Sequence, residues 1–285
     1  MRALLDGHPQ VLAVPRETHA FEWCESTEPT QELMRRKLWA EMPWPDDERE
    51  RFESTLHELL PGPAHPADAL EAVVEGLVRL DPEQRSREVW LEKTPTHLRV
   101  LPPLVERLGQ RTRVICLVRD PRGILASRVR RWRRSGLRAV RHFARKWARD
   151  DELTRSMEYA PEVHVVRYEE LVSEPERAMR DVAEHLDIPW HDVLTEPQRD
   201  GENFGGREKF QGVSAVSRDR WRDELSGEQL HELERFIGPR LEARGYPVDE
   251  RYVRPDATRR LFEWRVKGAL QLLKLGWLRY GRLSK

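Results

Sequence analysis

A phosphate-binding pattern lies between Val114 and Ser127, where the chain reads VICLVRDPRGILAS. Five apolar residues predict a buried strand, Pro121 and Gly123 predict a tight turn, and the next residues predict the start of a helix. Arg119 directly follows the strand, at the end where open parallel sheets bind ligands. The first turn of the helix offers N–H groups and a positive dipole end, and the Ser127 hydroxyl adds a donor. The segment predicts a site for a phosphorylated ligand, with a loop-anchoring ion pair of Arg119 as the alternative.

Lys93 is a second cation that follows a predicted strand, in the segment WLEKTPTH. If the strands are parallel, Lys93 leaves the sheet on the same side as Arg119. A lysine in that place stabilises negative charge that develops on a transferred group or on its leaving oxygen. The two cations therefore favour transfer of an anionic group, while an exposed lysine beside Glu92 is the alternative.

A sheet is needed to position these residues, and most of the chain after residue 88 alternates predicted strands with predicted helices. This alternation is typical of an α/β fold with a parallel sheet and helices on both faces. Ser226 and Gln229 have the spacing of a capping box at the start of the last helix. Proline-broken polar helices predict a helical cap or insertion at 25–87. The predicted strands are 11–14, 88–93, 113–118 and 163–167, and the predicted helices are 97–108, 122–134, 137–159, 175–186 and 226–243.

Charge is balanced over the whole chain but concentrated locally. Lys plus Arg and Asp plus Glu each number 50 among 285 residues, so the net charge indicates no partner. Residues 119–149 contain eleven arginines and Lys146 against the single acid Asp120. A nucleic-acid-binding helix at RVRRWRR would use such charge, but basic helices around a phosphate site already explain it. We therefore expect no nucleic acid as a partner.

The cysteines and the N-terminus predict the compartment. Cys24 and Cys116 lie far apart, which indicates neither a disulfide framework nor a thiolate metal site. The N-terminus lacks a basic region followed by an apolar one, and no stretch reaches the roughly 18 uncharged apolar residues of a spanning helix. The sequence predicts a cytoplasmic protein.

Several longer motifs give the chain a family resemblance. EKTPTHLRVLPPL and RVICLVRDPRGILASRVRRW, with HVVRYEELVSEPERAMRDVAEHLDIPW and SRDRWRDELS, resemble motifs of sulfotransferases that use 3′-phosphoadenosine 5′-phosphosulfate (PAPS). The resemblance is greatest to the bacterial and tyrosylprotein-type branch. It extends from Met1 to about Glu250, apart from 25–87. It implies a P-loop-like sulfotransferase fold and transfer of a sulfuryl group from PAPS to a hydroxyl or amine, without a metal.

The resemblance implies a set of cofactor-binding residues. Arg119 and Ser127 match the Arg and Ser that bind the 3′-phosphate of the nucleotide in the family. Tyr168 matches a tyrosine that lies near the nucleotide. Arg220 and Trp221 match a basic-Trp pair that helps to hold it.

The resemblance also implies the catalytic residues. Within MRALLDGHPQVLAVPRETHAF, Glu17 falls where tyrosylprotein-type enzymes place a catalytic carboxylate. We expect Glu17 to take the proton of the acceptor hydroxyl and Lys93 to stabilise the developing charge. A surface glutamate beside the preceding arginine is the alternative for Glu17. His8, His19 and His97 are further candidates for the base, because other branches use a histidine.

One element of the family is absent from this sequence. In the family, a strand and a loop of the Pro-Arg-Ser-Gly-Thr type hold the 5′-phosphosulfate, and they would lie just upstream of Met1. We therefore expect a fold that lacks this first strand and loop, with Met1 internal to a longer reading frame or the chain a truncated copy. No GxxxxGK[ST] motif replaces the loop, which disfavours ATP or GTP hydrolysis. The alternative function is that of a non-catalytic nucleotide-binding protein or scaffold.

A basic extension at 251–285 follows the sulfotransferase-like domain predicted at 1–250. Such a helix either packs onto the domain or makes peripheral contact with a membrane. The acceptor is expected to be a small molecule, carbohydrate, lipid or peptide, and no motif in 25–87 selects among them. The apolar residues near one helical face of the extension are Leu261, Phe262, Val266, Leu270, Leu273 and Trp277.

Overall fold

The computed structural model describes residues 1–14, 17–20, 45–62, 64–132, 136–196 and 218–248. The predicted extension at 251–285 lies outside these residues. The described strands are β1 (Val11–Ala13), β2 (Val89–Leu91), β3 (Val114–Val118) and β4 (Val163–Arg167). The described α-helices are α1 (Arg2–Leu5), α2 (Asp46–Leu59), α3 (Pro66–Leu80), α4 (Leu101–Leu108), α5 (Pro121–Trp132), α6 (Leu137–Met157), α7 (Tyr168–Ser173), α8 (Pro175–Leu186), α9 (Trp221–Glu224) and α10 (Gly227–Ala243).

The chain divides into two compact units. The strand unit comprises Met1–Arg119 with Asp150–Arg218, and the helical unit comprises Asp120–Arg149 with Asp219–Lys285. All four described strands belong to the strand unit. Helix α6 begins in the helical unit and ends in the strand unit.

The described strands form two parallel pairs rather than one continuous sheet. β1 pairs with β2 from Val11↔Val89 to Ala13↔Leu91. β3 pairs with β4 from Val114↔Val163 to Val118↔Arg167. The parallel direction and the α/β class are as predicted, but β3 is less buried than expected. Its Leu117 is 43% exposed, and among the described strands β3 pairs only with β4.

Helices cover both faces of the β1–β2 pair. Leu12 and Trp90 lie on one face and pack into a first core, together with residues of α2, α3 and α4. Val11 and Leu91 lie on the other face and pack into a second core. That second core also takes in residues of α1, α7, α8, β3 and β4: Leu5, Leu171, Met179, Val182, Ile115 and Val166. Burial of each aliphatic side chain contributes about 1.5–3 kcal/mol, so these alternating residues fix the register of the pair.

The predicted cap at 25–87 contains α2 and α3, which pack closely against each other. Phe52 of α2 is buried, and a Cβ atom on Gly76 of α3 would lie 2.6 Å from its ring. Glycine at this position therefore sets the distance between the two helices. Both helices contribute to the first core, so this part of the segment packs on the β1–β2 pair.

The helix predicted at 97–108 is divided. Residues Pro95–Val100 form a 3-10 helix, and α4 begins only at Leu101. Pro102 and Pro103 explain the break, because proline lacks an N–H donor and is tolerated in the first turn of a helix but not in its interior.

The helical unit has its own core between α5, α6 and α10, with buried Leu125, Phe143, Trp147 and Leu233. The predicted capping box is confirmed: Ser226 N–H donates to Gln229 Oε1 at 2.9 Å, and Gln229 N–H donates to Ser226 Oγ at 3.3 Å. Within the described residues, no helix is long and apolar enough to cross a membrane.

Candidate functional site

Glu17 and Lys93 lie in the segments that follow β1 and β2, and their side chains contact each other. Lys93 Nζ donates to Glu17 Oε1. The Lys93 side chain is 48% exposed and the Glu17 side chain is 39% exposed, so both are open to solvent and to a ligand. The structure thus brings together the two predicted catalytic residues. Lys93 is exposed beside Glu92 in the sequence, but the carboxylate that its ammonium group contacts is that of Glu17, and the Glu92 side chain is buried.

His19 is the one of the three candidate histidines that lies beside Glu17. Its Nε2 is 3.6 Å from Glu17 Oε2. His8 is fully buried, accepts a hydrogen bond from Gln10 N–H and contacts the Pro189 carbonyl at 3.0 Å, so it fixes a turn. His97 contacts Glu92 instead.

Glu92 is a buried carboxylate directly before Lys93, and sequence reasoning gave it no role of its own. Its side chain is 6% exposed. It accepts hydrogen bonds from Thr18 N–H and Thr18 Oγ1 at 3.1 and 2.9 Å and from Thr94 Oγ1, and it lies 2.9 Å from His97 Nδ1. Burial acts to raise the pKa of Glu92, but His97, Thr94 and Thr18 together lower the pKa below its usual value. Glu92 is therefore charged at neutral pH.

Arg119 and Tyr168 meet at the carboxyl end of the β3–β4 pair. Val118 and Arg167 are register partners at the ends of the two strands, so the next residue of each strand emerges beside the other. The guanidinium carbon of Arg119 lies 4.1 Å from the centre of the Tyr168 ring, a cation–π contact. The structure thus brings together two of the predicted cofactor-binding residues.

Ser127, Arg220 and Trp221 belong to the helical unit. Ser127 is half-buried on α5, and Arg220 is half-buried at the start of α9. The Trp221 indole is 6% exposed and lies in the core of this unit. The guanidinium carbons of Arg122 and Arg222 lie 4.2 and 4.4 Å from the centre of the indole.

Arg122 lies at the centre of a buried ion cluster that the sequence analysis missed. Its guanidinium donates to Asp120 at 2.7–3.1 Å, to Glu234 at 2.9 Å and to the Pro247 carbonyl at 2.7 Å. Burial acts to lower the pKa of Arg122, but the two carboxylates raise it above its usual value. Asp120 also accepts from Arg122 N–H at 2.8 Å, as an N-cap does. In the sequence, Asp120 followed by Pro121 at the start of α5 was the local sign of this cap.

No three His, Cys, Asp or Glu side chains come together as candidate metal ligands in the part of the chain that the structure describes. At the strand ends, the predicted site residues supply the ammonium group of Lys93, the exposed carboxylate of Glu17 and the guanidinium of Arg119 over the Tyr168 ring. This set suits binding and transfer of an anionic group.

Comparisons with known proteins agree with this chemistry. Residues 1–192 match the model of a family described as the sulfotransferase family. A sulfotransferase domain from the curacin biosynthetic pathway is 16% identical, with a TM-score of 0.52 over 87% of this chain and 93% of that one. A sulfotransferase domain from the olefin synthase of Synechococcus PCC 7002 is 19% identical, with a TM-score of 0.52 over 87% and 90%. No curated protein matches the sequence.

Proposed function

Because the chain belongs to the sulfotransferase family, we propose that it transfers a sulfuryl group from PAPS to a hydroxyl or amine acceptor. The solved sulfotransferase domains show that its fold is the P-loop-like α/β fold. The observation that carries the proposal is the contact between Lys93 and Glu17. It joins the acid–base group and the charge-stabilising group that this reaction needs.

Glu17 acts as the base, as in the tyrosylprotein-type branch that the motifs resemble. Its carboxylate removes the proton of the acceptor hydroxyl while the oxygen attacks sulfur in line with the leaving group. A new O–S bond forms, the S–O bond to the nucleotide phosphate breaks, and the proton stays on Glu17. Lys93 donates to the phosphate oxygen on which negative charge develops.

The Lys93–Glu17 pair must open for this reaction, because Lys93 has to reach the leaving oxygen. Ion pairs between exposed side chains contribute only about 0–1 kcal/mol, so the exchange of partners costs little. The pair keeps the Glu17 carboxylate beside the lysine that acts with it.

Arg119 binds the 3′-phosphate of the nucleotide, and Tyr168 orients its guanidinium. The guanidinium carbon of Arg119 lies over the tyrosine ring, 4.1 Å from its centre. The N–H donors of an arginine lie on the edge of this plane, so stacking leaves them in the geometry that phosphate requires. For Ser127, Arg220 and Trp221, which belong to the helical unit, the family resemblance implies nucleotide-binding roles.

Nucleotide binding and transfer test the proposal separately. Isothermal titration with adenosine 3′,5′-bisphosphate should show binding to the wild-type protein and its loss in Arg119→Ala. The exposed arginine variant Arg177→Ala, in α8, is the matched control and should bind like the wild type. Absence of binding by the wild type, or unchanged binding in Arg119→Ala, would overturn the proposal.

Transfer of labelled sulfate from PAPS to a library of carbohydrates, lipids, peptides and small hydroxyl or amine compounds identifies the acceptor. Nucleotide binding without transfer to any acceptor would instead support the alternative of a non-catalytic nucleotide-binding protein.

A further inference from the structure

Glu92 links the two segments that carry the proposed catalytic residues. Thr18 directly follows Glu17, and both its N–H and its hydroxyl donate to Glu92 Oε1. On the other side, Thr94 directly follows Lys93, and its hydroxyl donates to the same oxygen. One buried carboxylate oxygen therefore holds the neighbour of each catalytic residue.

The second carboxylate oxygen of Glu92 is held from a third direction. His97 Nδ1, in the 3-10 helix Pro95–Val100, lies 2.9 Å from Glu92 Oε2, and the His97 side chain is 11% exposed. We call Glu92, Thr18, Thr94 and His97 the Glu92 cluster. The Glu92 side chain is 6% exposed, so little water can replace a hydrogen-bond partner that the carboxylate loses.

The backbone beside Glu17 is strained, and the Glu92 cluster holds it. His19 has a φ of 49°, in the left-handed region that a histidine rarely adopts. Its N–H donates to Thr94 Oγ1 at 3.3 Å, and Ala20 N–H donates to Thr18 Oγ1 at 3.3 Å. Strained residues persist where the surrounding contacts over-determine them, and they concentrate at functional sites.

We propose that Glu92 is a positioning residue for the sulfuryl transfer, which holds Glu17 between Lys93 and His19. This role rests on the proposed function of Glu17 and Lys93. Glu92 acts through its neighbours: the bonds to Thr18 and Thr94 set the distance between the two segments, and the strained turn at His19 directs the Glu17 carboxylate.

A double-mutant cycle separates positioning from a structural role. Glu92→Gln and Thr94→Val should each lower kcat about 10- to 100-fold with little change in KM for PAPS, because small displacements of reacting groups cost rate rather than binding. In a Glu17→Gln background the same changes should have no further effect on kcat. If Glu92→Gln or Thr94→Val lowered kcat further in that background, the losses would be additive and Glu92 would be merely structural. Equal losses of kcat and of nucleotide affinity would lead to the same conclusion.

Thr154→Val is the matched control. Thr154 is as buried as Thr94, and its hydroxyl donates to the Asp150 carbonyl at 2.9 Å within α6. The variant should retain the wild-type kcat, although it loses a comparable buried hydrogen bond. A fall in kcat equal to that of Thr94→Val would remove the case for a positioning role.

A second readout does not depend on sulfuryl transfer. The rate at which acetic anhydride acylates Lys93, followed by mass spectrometry of its peptide, should rise several-fold in Thr94→Val and stay unchanged in Thr154→Val. An unchanged rate in Thr94→Val would overturn the inference. If the wild type transfers sulfate to no acceptor, the proposed function fails, but this measurement still decides whether the Glu92 cluster holds the Lys93–Glu17 pair.

Discussion

The guanidinium of Arg119 lies against the ring of Tyr168, with 4.1 Å between the guanidinium carbon and the ring centre. The pair exists because β3 and β4 are parallel and in register at their last residues, Val118 and Arg167. Arg119, which is proposed to bind the nucleotide phosphate, therefore contacts the residue that follows the neighbouring strand.

Tyr168→Leu should weaken binding of adenosine 3′,5′-bisphosphate by about 2- to 30-fold, since a cation–π contact of this kind contributes about 0.5–2 kcal/mol. Tyr168→Phe keeps the aromatic face and should bind like the wild type. Isothermal titration measures both. The control is Arg180→Ala, which removes a similar contact of 4.2 Å with Trp190. An affinity in Tyr168→Leu equal to that of the wild type would show that stacking does not orient Arg119.

Glu17→Gln should lower kcat by about 10²–10⁴-fold and leave nucleotide affinity nearly unchanged, because a general base acts on the acceptor in the transition state. Steady-state transfer assays with the acceptor found in the library, together with titration of the nucleotide, give the two quantities. Glu174→Gln, which breaks an exposed ion pair with Arg177 in α8, is the control and should retain the wild-type kcat. Normal turnover by Glu17→Gln would assign the base to another residue, with His19 the next candidate.

Acid should destabilise the wild-type protein more than Glu92→Gln. The pKa of Glu92 is lowered in the folded state. The free energy that this carboxylate contributes is therefore fully present above its unfolded pKa of about 4.3 and is lost as the pH falls through its folded pKa. Urea unfolding between pH 7 and pH 3 measures the difference. The wild type should lose its advantage over Glu92→Gln toward pH 3, and exposed Glu106→Gln should follow the wild type throughout. A constant difference between the wild type and Glu92→Gln would contradict the lowered pKa.

Gly76→Ala should destabilise the strand unit by about 1–3 kcal/mol, the usual cost of overpacking a core. The added Cβ would lie 2.6 Å from the Phe52 ring, whereas a Cβ on Gly62 would meet nothing within 4 Å. Gly62→Ala is thus the control for the effect on stability of replacing a glycine by alanine where the new Cβ meets no neighbour. Urea unfolding of Gly76→Ala, of Gly62→Ala and of the double variant with Gly76→Ala and Phe52→Leu tests the contact. If Phe52→Leu restores no stability to Gly76→Ala, the two residues do not limit the packing of α2 on α3.

The sequence was sufficient to predict that Glu17, Lys93, Arg119 and Tyr168 follow strands, but not which of them contact each other. Apolar runs at 11–14, 113–118 and 163–167 fix where the strands end, and parallel pairing then places Arg119 beside Tyr168 and Glu17 near Lys93. Strand alternation also puts Glu92 on the side of partly buried Trp90. Its hydrogen-bond partners were not predictable, because Thr18 and Thr94 belong to irregular segments whose backbone conformation no periodic pattern specifies.

The environment of Trp221 was likewise beyond sequence reasoning. The indole contacts Arg122, and one of the ion-pair partners of Arg122 is Glu234, which lies 112 residues further along the chain. Such long-range ion pairs leave no local pattern in the sequence. The sequence therefore did not show whether Arg122, which lies within the phosphate-binding pattern, is open to a ligand or buried in an ion cluster. The role of Trp221 in nucleotide binding stays a prediction.

Arg122→Ala should unfold the helical unit or destabilise it by about 3–5 kcal/mol, because it leaves the Asp120 and Glu234 carboxylates buried without their cation. Arg122→Lys should recover only part of this loss, since an ammonium group cannot donate at once to Asp120, Glu234 and the Pro247 carbonyl with the geometry of a guanidinium. Arg130→Ala, which breaks an ion pair with Glu224 from a half-exposed arginine, is the control and should cost about 0–1 kcal/mol. Chemical unfolding followed by tryptophan fluorescence measures all three, because Trp221 stacks on Arg122. Equal small losses in Arg122→Ala and Arg130→Ala would mean that the buried cluster adds no more stability than a surface pair, and Arg122 would then become a candidate ligand of the phosphorylated nucleotide.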